Sequence, residues 1–186
     1  MAVGMAIAER MTAERWNRPG YEIISHYTFA LVSDGDLMEG VSSEAASLAG
    51  TLGLGRLVCL YDDNGITIEG STELAFKENV EARFKAYGWQ VLRVKDGNDV
   101  ESIDQAINEA KSEKSKPSLI MIKTVIGCGS PRQGTSEVHG EAMGEKNAAL
   151  TKEYYDWTYP PFTVPAESGM HFRKHVEKIS KARLSW

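Results

Sequence analysis

Four short apolar runs limit what this chain can fold into. Residues 27–32, 57–61, 91–94 and 119–122 are rich in β-branched and aromatic side chains, and their starts lie about 30 residues apart. That interval is the repeat of a strand–helix–strand unit. Helical patterns fill the gaps. Residues 41–51 carry Ala45, Ala46, Leu48 and Ala49, with Leu52 just beyond, and stop at Gly53 and Gly55. Residues 76–87 place Phe76, Val80, Phe84 and Tyr87 on one face and end at Gly88; residues 100–110 repeat Ile103, Ala106, Ile107 and Ala110 behind Asp99, a natural N-cap. Nearly continuous apolar strands alternating with helices predict an α/β fold, a parallel β-sheet with helices on both faces.

The flanks differ from this repeat. Residues 2–11 read as a helix with Val3, Ile7 and Met11 on one face and Glu9 and Arg10 opposite, and no capping residue precedes it. Asn17-Arg18-Pro19-Gly20 follows as a turn. Beyond Lys123 the periodicity stops, and Gly127, Gly129, Pro131, Gly134, Gly140 and Gly144 mark a loop running to about 145. A loop of that length in a compact domain is usually functional or disordered. A short helix over 147–155 and a stiff stretch at Pro160, Pro161 and Pro165 come next. The tail 171–186 holds five basic residues and one acidic, with Phe172, Val176 and Ile179 at helical spacing, and reads as an amphipathic helix packed on a neighbour. These shifts divide the chain into an α/β domain over 1–158 and a Pro-rich segment with a basic helix over 159–186.

The ends of parallel strands are where such sheets bind ligands. The first strand runs into Ser33-Asp34-Gly35-Asp36-Leu37-Met38-Glu39-Gly40 and the second into Asp62-Asp63-Asn64-Gly65-Ile66-Thr67. Asp34 offers a carboxylate, Asn64 an amide oxygen and Ile66 a backbone carbonyl, all hard donors suited to Mg²⁺ or Ca²⁺ shared with phosphate oxygens. Gly35 lets backbone approach a phosphate, and a helix beginning near Val41 turns its free amides toward the same mouth. Asp-Gly and Asn-Gly are also ordinary turn dipeptides, so either loop alone means little. It is the pair, with 27 residues between Gly35 and Asp63, that points to a metal-bridged diphosphate.

This spacing resembles the thiamine diphosphate motif, and the surrounding sequence is similar to the transketolase family. SDGDLMEGVSSEAASLAGTLGLGRLVCLYDDNGITIEG carries most of the likeness, joined by AVGMAIAER, FKAYGW, KPSLIMIKTVIGCGSP and HGEAMG. The resemblance implies that Asp34, Asn64 and the Ile66 carbonyl hold the metal and that the Gly35 amide meets the diphosphate. It implies that His139, the catalytic candidate, lies against diphosphate and substrate, and that Ile126 packs near the cofactor. It places Glu39, a cofactor-site residue, and Glu44 at a dimer interface beside the cofactor. In the residues' own terms Glu39 and Glu44 equally suit a helix first turn, where a carboxylate contributes about 0.3–1 kcal/mol. His26 reads as structural, His171 and His175 as solvated, and Trp89 and Trp157 as packing residues.

The implied activity is transfer of two-carbon ketol units between ketose and aldose phosphates, or small hydroxyketones and aldehydes, in the pentose phosphate pathway. Ser33 stands where the family often has glycine. The family's Gly-Pro-Leu-Gly-Gln-Gly loop, its sugar-holding histidines and the domain with the glutamate that activates the cofactor have no match, so the chain reads as the diphosphate-binding part of a longer enzyme, cut at both ends. Three readings follow. The chain contributes half of a transketolase site and needs a partner domain; it is a non-catalytic or degenerate thiamine diphosphate-binding module; or it is part of another thiamine diphosphate enzyme, such as a 2-oxo acid dehydrogenase component. A homo-oligomer, or pairing with a chain carrying the missing domains, is the expected assembly.

Composition removes other classes. A net charge of -5 argues against a general nucleic-acid binder. No apolar run approaches the ~20 residues that span a bilayer. Two cysteines, Cys59 and Cys128, both near apolar runs, suit a reducing cytoplasm better than a disulfide scaffold.

Overall fold

The computed structural model describes residues 1–185. In chain order the elements are α1 (Ala2–Trp16), β1 (Thr28–Ser33), α2 (Asp34–Met38), α3 (Gly40–Leu52), β2 (Leu57–Asp63), β3 (Ile66–Thr67), β4 (Gly70–Ser71), α4 (Val80–Ala86), β5 (Gln90–Val94), α5 (Val100–Ser112), β6 (Ser118–Lys123), α6 (Glu145–Tyr154) and α7 (Ala166–Ser185). The chain forms two compact units, one of residues 1–128 and 132–142, the other of 129–131 with the segment from 143 onward.

The first unit is built on a four-stranded parallel sheet of order β1-β2-β6-β5. This order accounts for the side each helix takes. Parallel crossovers are right-handed. The steps from β1 to β2 and from β2 to β5 run one way across the sheet, so α3 and α4 share a face. The step from β5 back to β6 runs the other way and sends α5 to the opposite face. Strand residues divide accordingly with a period of two. Leu57, Cys59, Tyr61, Leu119 and Met121 pack with Ala6, Ala46, Ala49, Val80, Phe84 and Trp89 of the first face. Val58, Val94, Ile120 and Ile122 pack with Ala106 and Ala110 of α5. The α/β architecture expected from the sequence is therefore present. On the α5 side the cover ends before the edge strand: Phe29 and Leu31 of β1 stay exposed, Leu31 by 83%.

Several local expectations change. The first helix continues past Met11 to Trp16, and Met11 is exposed. Glu9, expected on the polar face, is buried and paired with Arg56 at 3.5 Å. The helix expected from 76 starts only at Val80, because the Asn79 side chain accepts the Ala82 N–H at 3.0 Å and caps it there. Phe76 lies buried outside that helix. Asp99 caps α5 as expected, accepting the Ser102 N–H at 3.0 Å. Trp89 packs edge-on against Phe84 and donates its indole N–H to the Ala46 carbonyl at 2.8 Å. Cys59 is buried, which pushes its thiol up to about 12.

In the second unit α6 lies within a residue or two of its expected bounds. α7 begins five residues before the expected tail helix, and Trp186 lies outside the described residues. Its Phe172, Val176 and Ile179 stripe is exposed rather than packed, as is Trp157, whose ring leans on Tyr159. Among the described residues no helix is long and apolar enough to cross a membrane.

Candidate metal and diphosphate site

Parallel pairing of Ser33 with Asp62 brings the ends of β1 and β2 side by side. The chain leaves β1 directly into α2, a five-residue helix that periodicity did not reveal. The helix amides nearest the strand end are thus those of α2, and not those of a helix starting near Val41. Asp36 fixes this turn, since its Oδ2 accepts both the Ser33 N–H at 2.8 Å and the Ser33 hydroxyl at 2.9 Å.

Asp34, the first residue of α2, is 2% exposed. Its Oδ1 accepts the Tyr61 hydroxyl at 2.6 Å and its Oδ2 the Gly65 N–H at 3.1 Å. Burial raises its pKa above the ordinary carboxylate range; the two hydrogen bonds oppose that shift, and repulsion from Asp63 and Asp62 adds to it. A divalent cation beside this carboxylate would favour its charged form. The second loop turns tightly at Gly65, whose φ of 72° is in the left-handed region. Asn64 closes the turn by accepting the Ile66 N–H at 2.9 Å, and Ile66 opens the small β3–β4 hairpin. The Asp34–Gly65 bond therefore ties the first predicted ligand to the peptide between the other two, Asn64 and Ile66.

Neighbouring groups brace the rim. The Thr124 hydroxyl beyond β6 donates to Asp62, and Lys123 pairs with Asp63 at 3.4 Å. Arg83 of α4 donates to the Leu37 carbonyl of α2 at 3.1 Å and pairs with Glu78 at 2.7 Å. Gly35 is exposed, and a Cβ built on it would meet nothing closer than the Ser33 hydroxyl at 4.0 Å. Glu39 caps α3 through its carbonyl, which accepts the Ser42 N–H at 3.0 Å; its side chain and that of Glu44 are exposed. Ile126 is half-buried three residues past β6, on the same rim. His139 ends a short 3-10 turn, Ser136–Val138, on the exposed loop. The structure thus joins Asp34 to the Asn64–Ile66 turn and leaves His139, Glu39 and Glu44 on the surface.

Tyr61 and Arg83 are site residues that sequence reasoning missed. The one signal was Tyr61's place in the alternation, on the same side of β2 as Leu57 and Cys59. Among the described residues no three His, Cys, Asp or Glu side chains gather to hold a metal alone. Asp34, Asn64 and Ile66 offer one carboxylate, one amide oxygen and one carbonyl, hard donors of the type that Mg²⁺ supplements with phosphate oxygens and water.

The family model for the thiamine diphosphate-binding domain of transketolase matches residues 1–186. The chain belongs to the transketolase family. It is 57% identical over 189 residues to the transketolase of Geobacillus stearothermophilus, covering 100% of this chain and 28% of that protein. It is 52% identical over 167 residues to transketolase 1 of Escherichia coli, covering 89% and 25%. Transketolase from Leishmania mexicana superposes with a TM-score of 0.95 at 44% identity, over 100% of this chain and 28% of that one. The Pichia stipitis enzyme in complex with sedoheptulose-7-phosphate gives 0.94 at 44% identity and the same coverage. This transketolase domain thus spans about 28% of the length of such relatives.

Proposed function

We propose that this chain is the metal- and diphosphate-holding part of a transketolase, acting with partner segments to move two-carbon ketol units between sugar phosphates. The observation that carries the reading is the clamp of buried Asp34 to the Asn64–Gly65–Ile66 turn. The residues fit the groups. Asp34 and Asn64 would hold Mg²⁺ through side-chain oxygens, and Ile66 through its carbonyl. The Gly35 amide would meet the diphosphate, with Ile126 against the cofactor and His139 at the substrate end. When bound, thiamine diphosphate supplies the electron sink for breaking and making the carbon–carbon bond. The chain's own part is to bind and orient: its oxygens fix the metal, and its strand ends fix the diphosphate.

Support for sugar phosphates comes from the relatives crystallised with them. The uncovered Phe29 and Leu31 on edge strand β1 support association with a second copy or with a chain supplying further domains. Buried Cys59 accords with a cytoplasmic setting.

Gly35 yields a prediction in which stability and binding part company. Alanine has room there and favours a helix by about 1 kcal/mol over glycine. Gly35→Ala is expected to leave thermal stability unchanged or higher while weakening thiamine diphosphate binding about tenfold, read by a melt and a titration on one sample. Equal binding would remove Gly35 from the phosphate path.

The activity itself is tested by exchange. Residues 1–186 replace the aligned 189 residues of the Geobacillus stearothermophilus transketolase. Ketol transfer within about tenfold of the parent is expected. A folded chimera that binds thiamine diphosphate but transfers nothing would contradict the proposed function.

A further inference from the structure

We infer that Tyr61 is the positioning residue of the metal site, aiming the Asp34 carboxylate so that a small, geometrically demanding cation can use it. The inference rests on the reading of Asp34 as a metal ligand. Tyr61 is 2% exposed, and its hydroxyl donates to Asp34 Oδ1 at 2.6 Å. Gly65 donates to Oδ2 at 3.1 Å from four residues further along the same segment. One donor on each oxygen fixes the carboxylate plane against rotation. Each oxygen still has a lone pair for a metal. Both donors belong to the stretch that carries Asn64 and Ile66, so all three ligand groups are held to one frame. A buried tyrosine hydroxyl needs some acceptor for stability alone. What distinguishes a positioning role is its dependence on the ion.

Mg²⁺ requires near-ideal octahedral geometry, whereas Ca²⁺ accepts flexible coordination. Loss of an outer partner that orients a ligand typically costs 10–100-fold in metal affinity. Tyr61→Phe removes one hydroxyl and keeps the ring that packs in the core on this face of the sheet. Thiamine diphosphate binding would be followed by equilibrium dialysis against increasing Mg²⁺ and, separately, Ca²⁺. For Tyr61→Phe the half-saturating Mg²⁺ concentration is expected to rise about tenfold and that for Ca²⁺ less than about threefold. Leu57→Val, at a fully buried position four residues back on the same face of β2, lowers stability and is expected to move neither. A Tyr61→Phe curve that overlays wild type in Mg²⁺, equal shifts in the two ions, or the same shift in Leu57→Val would overturn the inference while leaving the site intact. No binding by wild type in either ion would instead overturn the site reading itself.

Discussion

Asp34→Ala is expected to reduce Mg²⁺-dependent binding of thiamine diphosphate at least about 100-fold. The change removes the one charged ligand of the proposed metal shell, and no neighbour replaces it. Asp62 is engaged by Thr124 and Asp63 by Lys123, both on the β6 side. Asn64 and Ile66 offer only neutral oxygens. The substitution also leaves the buried Tyr61 hydroxyl without its acceptor, at about 1–3 kcal/mol, and frees the half-buried Gly65 N–H at a smaller cost. Relief of repulsion from Asp62 and Asp63 offsets part of that cost. Dialysis reads the binding, and urea unfolding reads the stability of the same sample. Binding within threefold of wild type, in a chain still folded, would show that the carboxylate is a structural tie between two loops and not a ligand.

Gly50→Ala is expected to be strongly destabilising to the first unit. Gly50 lies within α3, where helix propensity alone predicts a gain of about 1 kcal/mol for alanine. Packing predicts the opposite. A Cβ at Gly50 would lie 1.7 Å from the Tyr87 carbonyl oxygen and 2.9 Å from its carbon, with the Trp89 ring 3.4 Å away. The obstacle is backbone at the end of α4, so no side-chain rotation relieves it. α3 would have to lift from the α4–β5 corner and break the Trp89 bond to Ala46. A loss of about 3 kcal/mol or more follows, at the upper end of overpacking. Denaturant unfolding followed by far-ultraviolet circular dichroism checks it, and a rise in stability would mean that α3 and the corner do not meet this closely.

What the sequence disclosed, and what it hid, follows from how far apart the cooperating groups lie. The four sheet strands were legible because each carries a short run rich in apolar, β-branched or aromatic side chains, which β1 keeps although Phe29 and Leu31 are exposed. The strand-end positions of Asp34, Asn64 and Ile66 were legible because turn chemistry there is local. α2 was not, since five residues are too few to show a helical period. Phe76 misled because its spacing to Val80 and Phe84 continued a stripe that the Asn79 cap interrupts. The burial of Glu9 depends on Arg56, 47 residues on, and the Tyr61–Asp34 bond on strand register. Local pattern names neither partner, although alternation sets Tyr61 on the inward side of β2. The family resemblance named His139, which the fold sets on an exposed loop.

The central claim is that the two strand-end loops form one metal-dependent diphosphate site. Calorimetric titration of thiamine diphosphate into this chain, first with Mg²⁺ and then with a chelator in excess, tests it most directly. The predicted result is a saturable heat with Mg²⁺ that disappears with the chelator. No heat with Mg²⁺, or the same isotherm in both solutions, would contradict it.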